Sequence, residues 1–281
     1  MTLRTPALIC DAECACAPLV VAGLPEISPE VWDDARRVAK QEYKRSPRKA
    51  HVLANQMATL YLAAEDKDVA LIFNPGGWGW ALIPQMPLWA TILKGIKEVL
   101  EGAGQKVLTL DYLRTTRSLS GRLGEAGALL KLSRTKGREL AGRVEHLLRH
   151  RPNLKVIIAG ESNGAAMTED TMCFLRANPQ VFSIQTGTPF WSPSKPHPRS
   201  LIINHNGVEP DAFSTGNVRH LVVANTKALF GRYKNSQGNI LFYIGAPGHV
   251  YNWEYPVVRE KITEFLQKKV LSEKISEAVK S

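Results

Sequence analysis

The sequence predicts an α/β fold: a mostly parallel sheet of about six strands with helices on both faces, preceded by a helical N-terminal segment. Three observations carry this. From about residue 68 onward, short aliphatic runs alternate with segments of helical periodicity. The aliphatic runs are almost continuously apolar, as strands covered on both faces must be, instead of alternating apolar with polar. Neither an internal repeat nor a low-complexity linker interrupts the pattern. Residues 68–281 therefore read as one domain, with residues 1–67 as a partly helical appendage packed on it.

Residues 29–65 read as helical, with Pro29 near the start and a break at Ser46-Pro47. DVALIFNPGG (68–77) is a β-rich run that ends in turn residues, and LWATILKGIKEVLEGAG (88–104) is a helix closed by glycine. KVLTLDYL (106–113) is the second strand, and residues from about 125 to 150 form a long helix. KVIIAG (155–160) is the third strand, followed by Ser162 and a helix running to about Asn178. VFSIQTG (181–187) and SLIINHNG (200–207) are the fourth and fifth, separated by a proline-rich link too short for a helix. A helical segment at about 215–233, a sixth strand in NILFYIGAPG (239–248) and a basic amphipathic helix complete the chain.

The composition, 44% hydrophobic and 22% charged over 281 residues, supports a sizeable core and argues against long disorder. No apolar run approaches the roughly 20 residues needed to span a bilayer. Asp11 and Glu13 interrupt what would be the apolar core of a signal peptide, so the first residues read as a poorly ordered or surface-packed terminus. A cytoplasmic protein is expected, with secretion as the alternative. The net charge of +10 concentrates in residues 36–51 and 131–151. Asp33, Asp34, Glu42, Glu139 and Glu145 are interspersed there, so both stretches read as solvated helix faces. No nucleic-acid motif accompanies the charge, and no nucleic-acid partner is expected. Cys14 and Cys16 are too close for zinc-ligand spacing and Cys173 reads as a small buried hydrophobe, so no metal or cofactor is expected.

The chemistry-bearing stretch is Gly160-Glu161-Ser162-Asn163-Gly164, between a strand and a helix. That is the context of a nucleophile elbow: a sharp turn exposes the serine hydroxyl, and the helix N-terminus offers the Asn163 amide to a developing oxyanion. The alternative is a serine that only caps the helix. Of seven histidines, only His249 directly follows a strand and precedes the closing helix, which suits the general base. His205 lies inside an expected strand and reads as a core histidine. The orienting acid should lie between serine and histidine. Asp211 is preferred, with Glu209 as the alternative. The second oxyanion donor is expected in Asn74-Pro75-Gly76-Gly77-Trp78-Gly79-Trp80, at Gly77 or Trp78, where glycines let backbone amides turn inward.

The elbow GESNG, the loop NPGGWG, the acid loop NGVEPD and the histidine loop APGHVYNW, in that chain context, resemble the α/β-hydrolase superfamily over about residues 68–270, including uncharacterised bacterial members. The resemblance implies a Ser162–His249–Asp211 triad and hydrolysis through an acyl-enzyme, without a cofactor. A small to medium ester or thioester is the implied substrate. The chain departs from the family in three ways: its oxyanion loop has no histidine, no insertion is long enough for a large lid, and helix-like sequence stands where two N-terminal strands are common.

Aromatic side chains gather in the same loops: Trp78, Trp80, Phe190, Trp191, Tyr251 and Trp253. They suit an apolar pocket for an acyl chain or aromatic ester, or else ordinary loop-to-core packing. Arg114 and Arg117 follow the second strand. They either grip a substrate carboxylate or phosphate, or serve as surface charge and partners of Asp111 and Glu161. Two further function classes stay open: a non-catalytic ligand-binding protein on the same scaffold, and a membrane-surface protein using its basic helices. The sequence specifies no oligomeric state.

Overall fold

A computed structural model of the protein describes residues 9–10, 27–114, 133–192, 197–217, 219, 222–223, 226 and 246–272. Arg117, the expected strand over 239–245, most of the helical segment at 215–233, residues 125–132 of the long helix and the last nine residues lie outside the described residues.

Helix starts follow one local rule. α1 (Pro29–Glu42), α2 (Pro47–Ala63), α3 (Pro87–Gly102) and α6 (Pro256–Phe265) all place proline in the first turn. There the missing N–H has no intrahelical acceptor to lose and the fixed φ suits the helix. Ser28 and Ser46 cap α1 and α2, their side chains accepting from the Val31 and Lys49 N–H groups. The break read at Ser46-Pro47 is thus a cap and a first helical residue. Two further α-helices are α4 (Ser133–His150) and α5 (Asn163–Phe174).

The strands are β1 (Ile9–Cys10), β2 (Val69–Asn74), β3 (Val107–Leu113), β4 (Lys155–Glu161), β5 (Val181–Thr186) and β6 (Ser200–Ile203). Their order is β1-β3-β2-β4-β5-β6 and every described pairing is parallel. With helices on both faces this is the mostly parallel α/β sheet class read from the sequence. Alternate side chains sort the strands onto two cores. Ala70, Ile72, Tyr112, Val156 and Ile158 face one way, against Leu60 of α2, Leu140, Val144 and Leu147 of α4 and Met167 and Met172 of α5. Leu71, Phe73, Ile157, Phe182 and Ile184 face the other, against Trp89, Ile92 and Ile96 of α3 and Val258 and Ile262 of α6. After β2 the chain crosses to β3 on one side, and after β3 it returns past β2 to β4. The order therefore reverses between β2 and β4, and in open parallel sheets such a switch point is where a crevice lies beyond the carboxyl ends.

Five local expectations need correction. Ile9–Cys10 form a two-residue edge strand on Tyr112–Leu113 where a poorly ordered or surface-packed terminus was read; so short a pairing is made by backbone groups and leaves no periodicity in the sequence. The strand expected over 200–207 stops at Ile203, because asparagine side chains take over the backbone groups beyond it: Asn204 Oδ1 accepts from the Thr188 N–H, and Asn206 Oδ1 from those of Val208 and Glu209. His205 is consequently exposed instead of in the core, its Nδ1 accepting from the Gly207 N–H at 2.8 Å. Helix α5 ends at Phe174, short of Asn178, and leaves Cys173 exposed.

The basic stretch of α4 is an internal interface more than a solvated face. Arg143 and Glu139 are buried and paired at 2.6 Å; Tyr43 donates to Glu139 at 2.5 Å and Arg143 to Gln56 at 2.9 Å. Buried charges persist only when paired, so these contacts dock the α1–α2 hairpin onto the sheet's helical layer.

Candidate active site

Ser162 has φ 53° and ψ −121°, the one positive φ outside glycine among the described residues. That backbone costs on the order of 1–3 kcal/mol and has to be imposed by its surroundings. The imposition comes from β4 turning into α5 within one residue. A Cβ on Gly164 would lie 2.0 Å from the Asn74 carbonyl oxygen, and one on Gly160 2.5 Å from Thr168 Oγ1. Only glycine permits that approach at either position. The Ser162 N–H donates to the Thr186 carbonyl at 2.9 Å, and its side chain makes no capping bond to α5. The capping role is therefore not what the hydroxyl does, and the first N–H groups of α5 open beside it.

The loop after β2 lies directly over this turn. A Cβ on Gly76 would be 3.3 Å from Ser162 Cβ and 3.1 Å from Glu161 Oε2. The Gly79 N–H donates to the Gly76 carbonyl at 3.2 Å, closing a tight turn. Asn163 Nδ2 and Arg114 Nη2 both donate to the Gly77 carbonyl, at 3.2 and 3.3 Å, which fixes the plane of the Gly77–Trp78 peptide. Arg114 also donates through Nη1 to Asn74 Oδ1 and the Pro75 carbonyl, each at 2.6 Å, and is only 2% exposed. The substrate-gripping role read for Arg114 is thus corrected: its guanidinium is spent holding the glycine loop in shape.

The acid and the base meet across the crevice. His249 Nδ1 lies 2.8 Å from Asp211 Oδ2. A carboxylate only accepts, so Nδ1 carries the proton and Nε2 is left as the acceptor of a neutral ring. Asp211 is fully buried. Its Oδ1 accepts from the Phe213 and Ser214 N–H groups at 2.8 and 3.1 Å, and its Oδ2 also from Ser214 Oγ at 2.9 Å and the Tyr251 hydroxyl at 2.8 Å. Burial pushes the carboxyl up, but the bonds from His249 and Tyr251 outweigh it and hold Asp211 below the usual carboxylate range. Glu209 contributes its backbone N–H to the turn instead, accepted by Asn206 Oδ1 at 2.9 Å, so the acid facing the histidine is Asp211. Both the ring and the serine adjoin the end of β5: the Ser162 N–H bonds to the Thr186 carbonyl, and a Cβ on the next residue, Gly187, would lie 2.4 Å from His249 Cε1.

The aromatic residues divide. Phe190 and Trp191 are 47% and 45% exposed, and an edge-to-face chain runs from Trp191 to Phe213 and on to His249, each step 4.9 Å between ring centres. Trp78 and Trp80, half-buried, stack at 6.0 Å on the glycine-loop side. Tyr251 is buried and serves the acid. Trp253 packs on α3, where a Cβ on Gly95 would lie 2.2 Å from its ring, so Tyr251 and Trp253 support the core and do not line a pocket.

Three contributors escaped the sequence reading. Phe213 packs beside the histidine ring. Asn206 joins the acid loop to the histidine loop, its Nδ2 donating to the Gly248 and Val250 carbonyls at 3.2 and 3.0 Å. The Asn-His-Asn-Gly run was its only signal. Glu161, read at most as a partner for arginine, has Oε2 buried without a hydrogen-bond partner, and burial lifts its carboxyl to about 7 against a smaller lowering by His249.

Among the described residues one set of side chains has metal-ligand types within 4.8 Å of one another: Asp34, His146 and His150. It lies on α1 and α4, away from the crevice. The Asp34 carboxylate accepts there from Arg37, Arg149 and, at 3.0 Å, His150. It acts as an ion-pair hub.

No protein-family model matches the chain, and no curated protein does. Among solved structures it is similar to Trichoderma reesei cutinase in complex with a C11Y4 phosphonate inhibitor, at 13% identity and a TM-score of 0.43, over 84% of this chain and 90% of that one.

Proposed function

We propose that the protein is a serine hydrolase that cleaves a small to medium carboxylic ester or thioester through an acyl-enzyme. The observation that carries the reading is the strained Ser162 at the head of α5, beside the same end of β5 as a histidine whose Nδ1 is held at 2.8 Å by a buried carboxylate. In this reading Ser162 Oγ attacks the carbonyl carbon as His249 Nε2 takes its proton. The Asn163 amide and an amide of the Gly77–Trp78 peptide region stabilise the oxyanion. Collapse expels the alcohol or thiol, which receives that proton from His249. Water, deprotonated by the same nitrogen, then attacks the acyl-enzyme and releases the acid and free Ser162. Asp211 keeps the ring in the required tautomer and stabilises its charged form without itself taking the proton. Trp191 and Phe213 on one side, with Trp78 and Trp80 on the other, favour an apolar acyl or alcohol group.

The test is labelling of the full-length protein by a fluorophosphonate probe. Wild type should label stoichiometrically, Ser162→Ala not at all, and His249→Ala far more slowly, with circular dichroism unchanged in each. A well-folded wild type that does not label would turn the assignment to a ligand-binding protein on the same scaffold.

A further inference from the structure

The α1–α2 hairpin holds a feature that the Ser162 crevice does not use. The two helices meet through small residues, with Ala35, Ala39, Ala50 and Ala54 buried around Leu53 and Met57. Small side chains at such a seam leave space where the longer ones diverge, and a cavity of about 590 Å³ opens there. That size falls within the roughly 300–1,000 Å³ of small-molecule sites. Its apolar walls are Trp32, Tyr43, Ala50 and Ala54; its charged lining is Arg36, Lys40 and Lys44, with no carboxylate among the residues that line it. No residue of the candidate active site takes part.

The two kinds of lining select one kind of occupant. The alanine and aromatic walls reward burial of a flexible aliphatic chain at roughly 0.8 kcal/mol per methylene. Arg36 is already paired with the Asp33 carboxylate at 3.1 Å, so Lys40 and Lys44 place the positive potential over the mouth, which attracts an anionic head and repels a cationic one. The face of Trp32 is already covered by the Arg36 guanidinium, 5.3 Å from its ring centre, so it is poorly placed to stack on a planar base. A concave cavity also fits one chain better than a flat bilayer. We infer that this cavity binds a single-chain anionic amphiphile, a medium- or long-chain carboxylate, with its chain between α1 and α2 and its carboxylate at Lys40 and Lys44.

The experiment is isothermal titration of full-length Ser162→Ala, which removes turnover, with dodecanoate below its micelle concentration. Butyrate and dodecyltrimethylammonium are titrated in parallel. One dodecanoate per chain is expected, with much weaker binding of the short anion and of the cation. The double variant K40E/K44E changes two lysines of the cavity rim and should weaken dodecanoate roughly tenfold or more while leaving the fold intact. Equal affinity in that variant would place the amphiphile elsewhere, the Ser162 crevice included, and overturn the inference. So would an absence of dodecanoate binding, or co-sedimentation with phosphatidylglycerol vesicles alone, which would make the face a membrane-docking surface. None of these outcomes depends on whether Ser162 is a nucleophile.

Discussion

A carboxylate as deeply buried as Asp211 stays ionised only if donors replace the water it has lost, and five do so from Phe213, Ser214, His249 and Tyr251. The donors are not equivalent in the proposed reaction. Asp211→Asn loses the charge that sets the imidazole tautomer and is expected to lower kcat by about 10³- to 10⁴-fold with little change in KM. Tyr251→Phe removes one neutral bond of several, and less than about tenfold is expected. Steady-state kinetics on one ester, run on both variants, checks the ranking; equal losses would contradict it. Glu161 poses the opposite problem, a carboxyl without a partner for Oε2. Its folded pKa of about 7 stands above the ordinary 4.5. Stability tied to its protonated form is therefore complete below pH 4.5 and is lost as pH rises towards and through 7. Glu161→Gln should be more stable than wild type at pH 8, by on the order of 1–3 kcal/mol, and no more stable at pH 4. Chemical denaturation at the two pH values measures this, and a gain of equal size at both would rule out ionisation as the cause.

Between elements, the joints are polar and the faces apolar. The hairpin reaches α4 through Tyr43–Glu139, Gln56–Arg143 and the Asp34 hub. At Asp34 burial pushes the carboxyl up, but bonds from Arg37, His150 and Arg149 outweigh it and bring it to about 2 from 3.8. A lowered acid stabilises the fold above its unfolded pKa and ceases to do so as pH falls through the folded one. The hairpin–α4 joint should therefore loosen between about pH 4 and 2, and Asp34→Asn should show the loosened joint already at pH 7. Hydrogen exchange of α1 amides reads this out; unchanged α1 protection in the variant would show that apolar packing alone holds the joint. A different polar joint, Asn206, ties the acid loop to the histidine loop, so the spacing of Asp211 and His249 belongs to neither loop alone.

Over the whole molecule, the hairpin shares apolar packing with the sheet. Leu60 of α2 and Ala64, its C-cap, belong to the same apolar cluster as Ile72, Val144 and Ile158. One cooperative unfolding transition is expected, coincident by far-ultraviolet circular dichroism and tryptophan fluorescence. An earlier transition confined to helix signal would mark the hairpin as an independent unit. The class of fold and the order of strands and helices could be read from the chain because apolar periodicity and the proline and glycine stops are local. The loops that hold Ser162 and Asp211 follow aliphatic runs, β4 and β6, that the chain also announces; the run before His249 lies outside the described residues. The glycines of the elbow were legible as residue types, while the contacts that demand them, Asn74 against Gly164 and Thr168 against Gly160, come from distant segments.

Tertiary structure alone decided the rest. It turned Arg114 from a candidate substrate arm into the clamp of the glycine loop, moved Tyr251 and Trp253 from the pocket to its support, exposed His205 and Cys173, and buried the charges of α4. In each case the side chain's chemistry was plain from the sequence and its partner was not. Hydrogen-bond acceptors at 2.6 Å and rings in contact are set by how sheet and helices pack, and no local pattern encodes that.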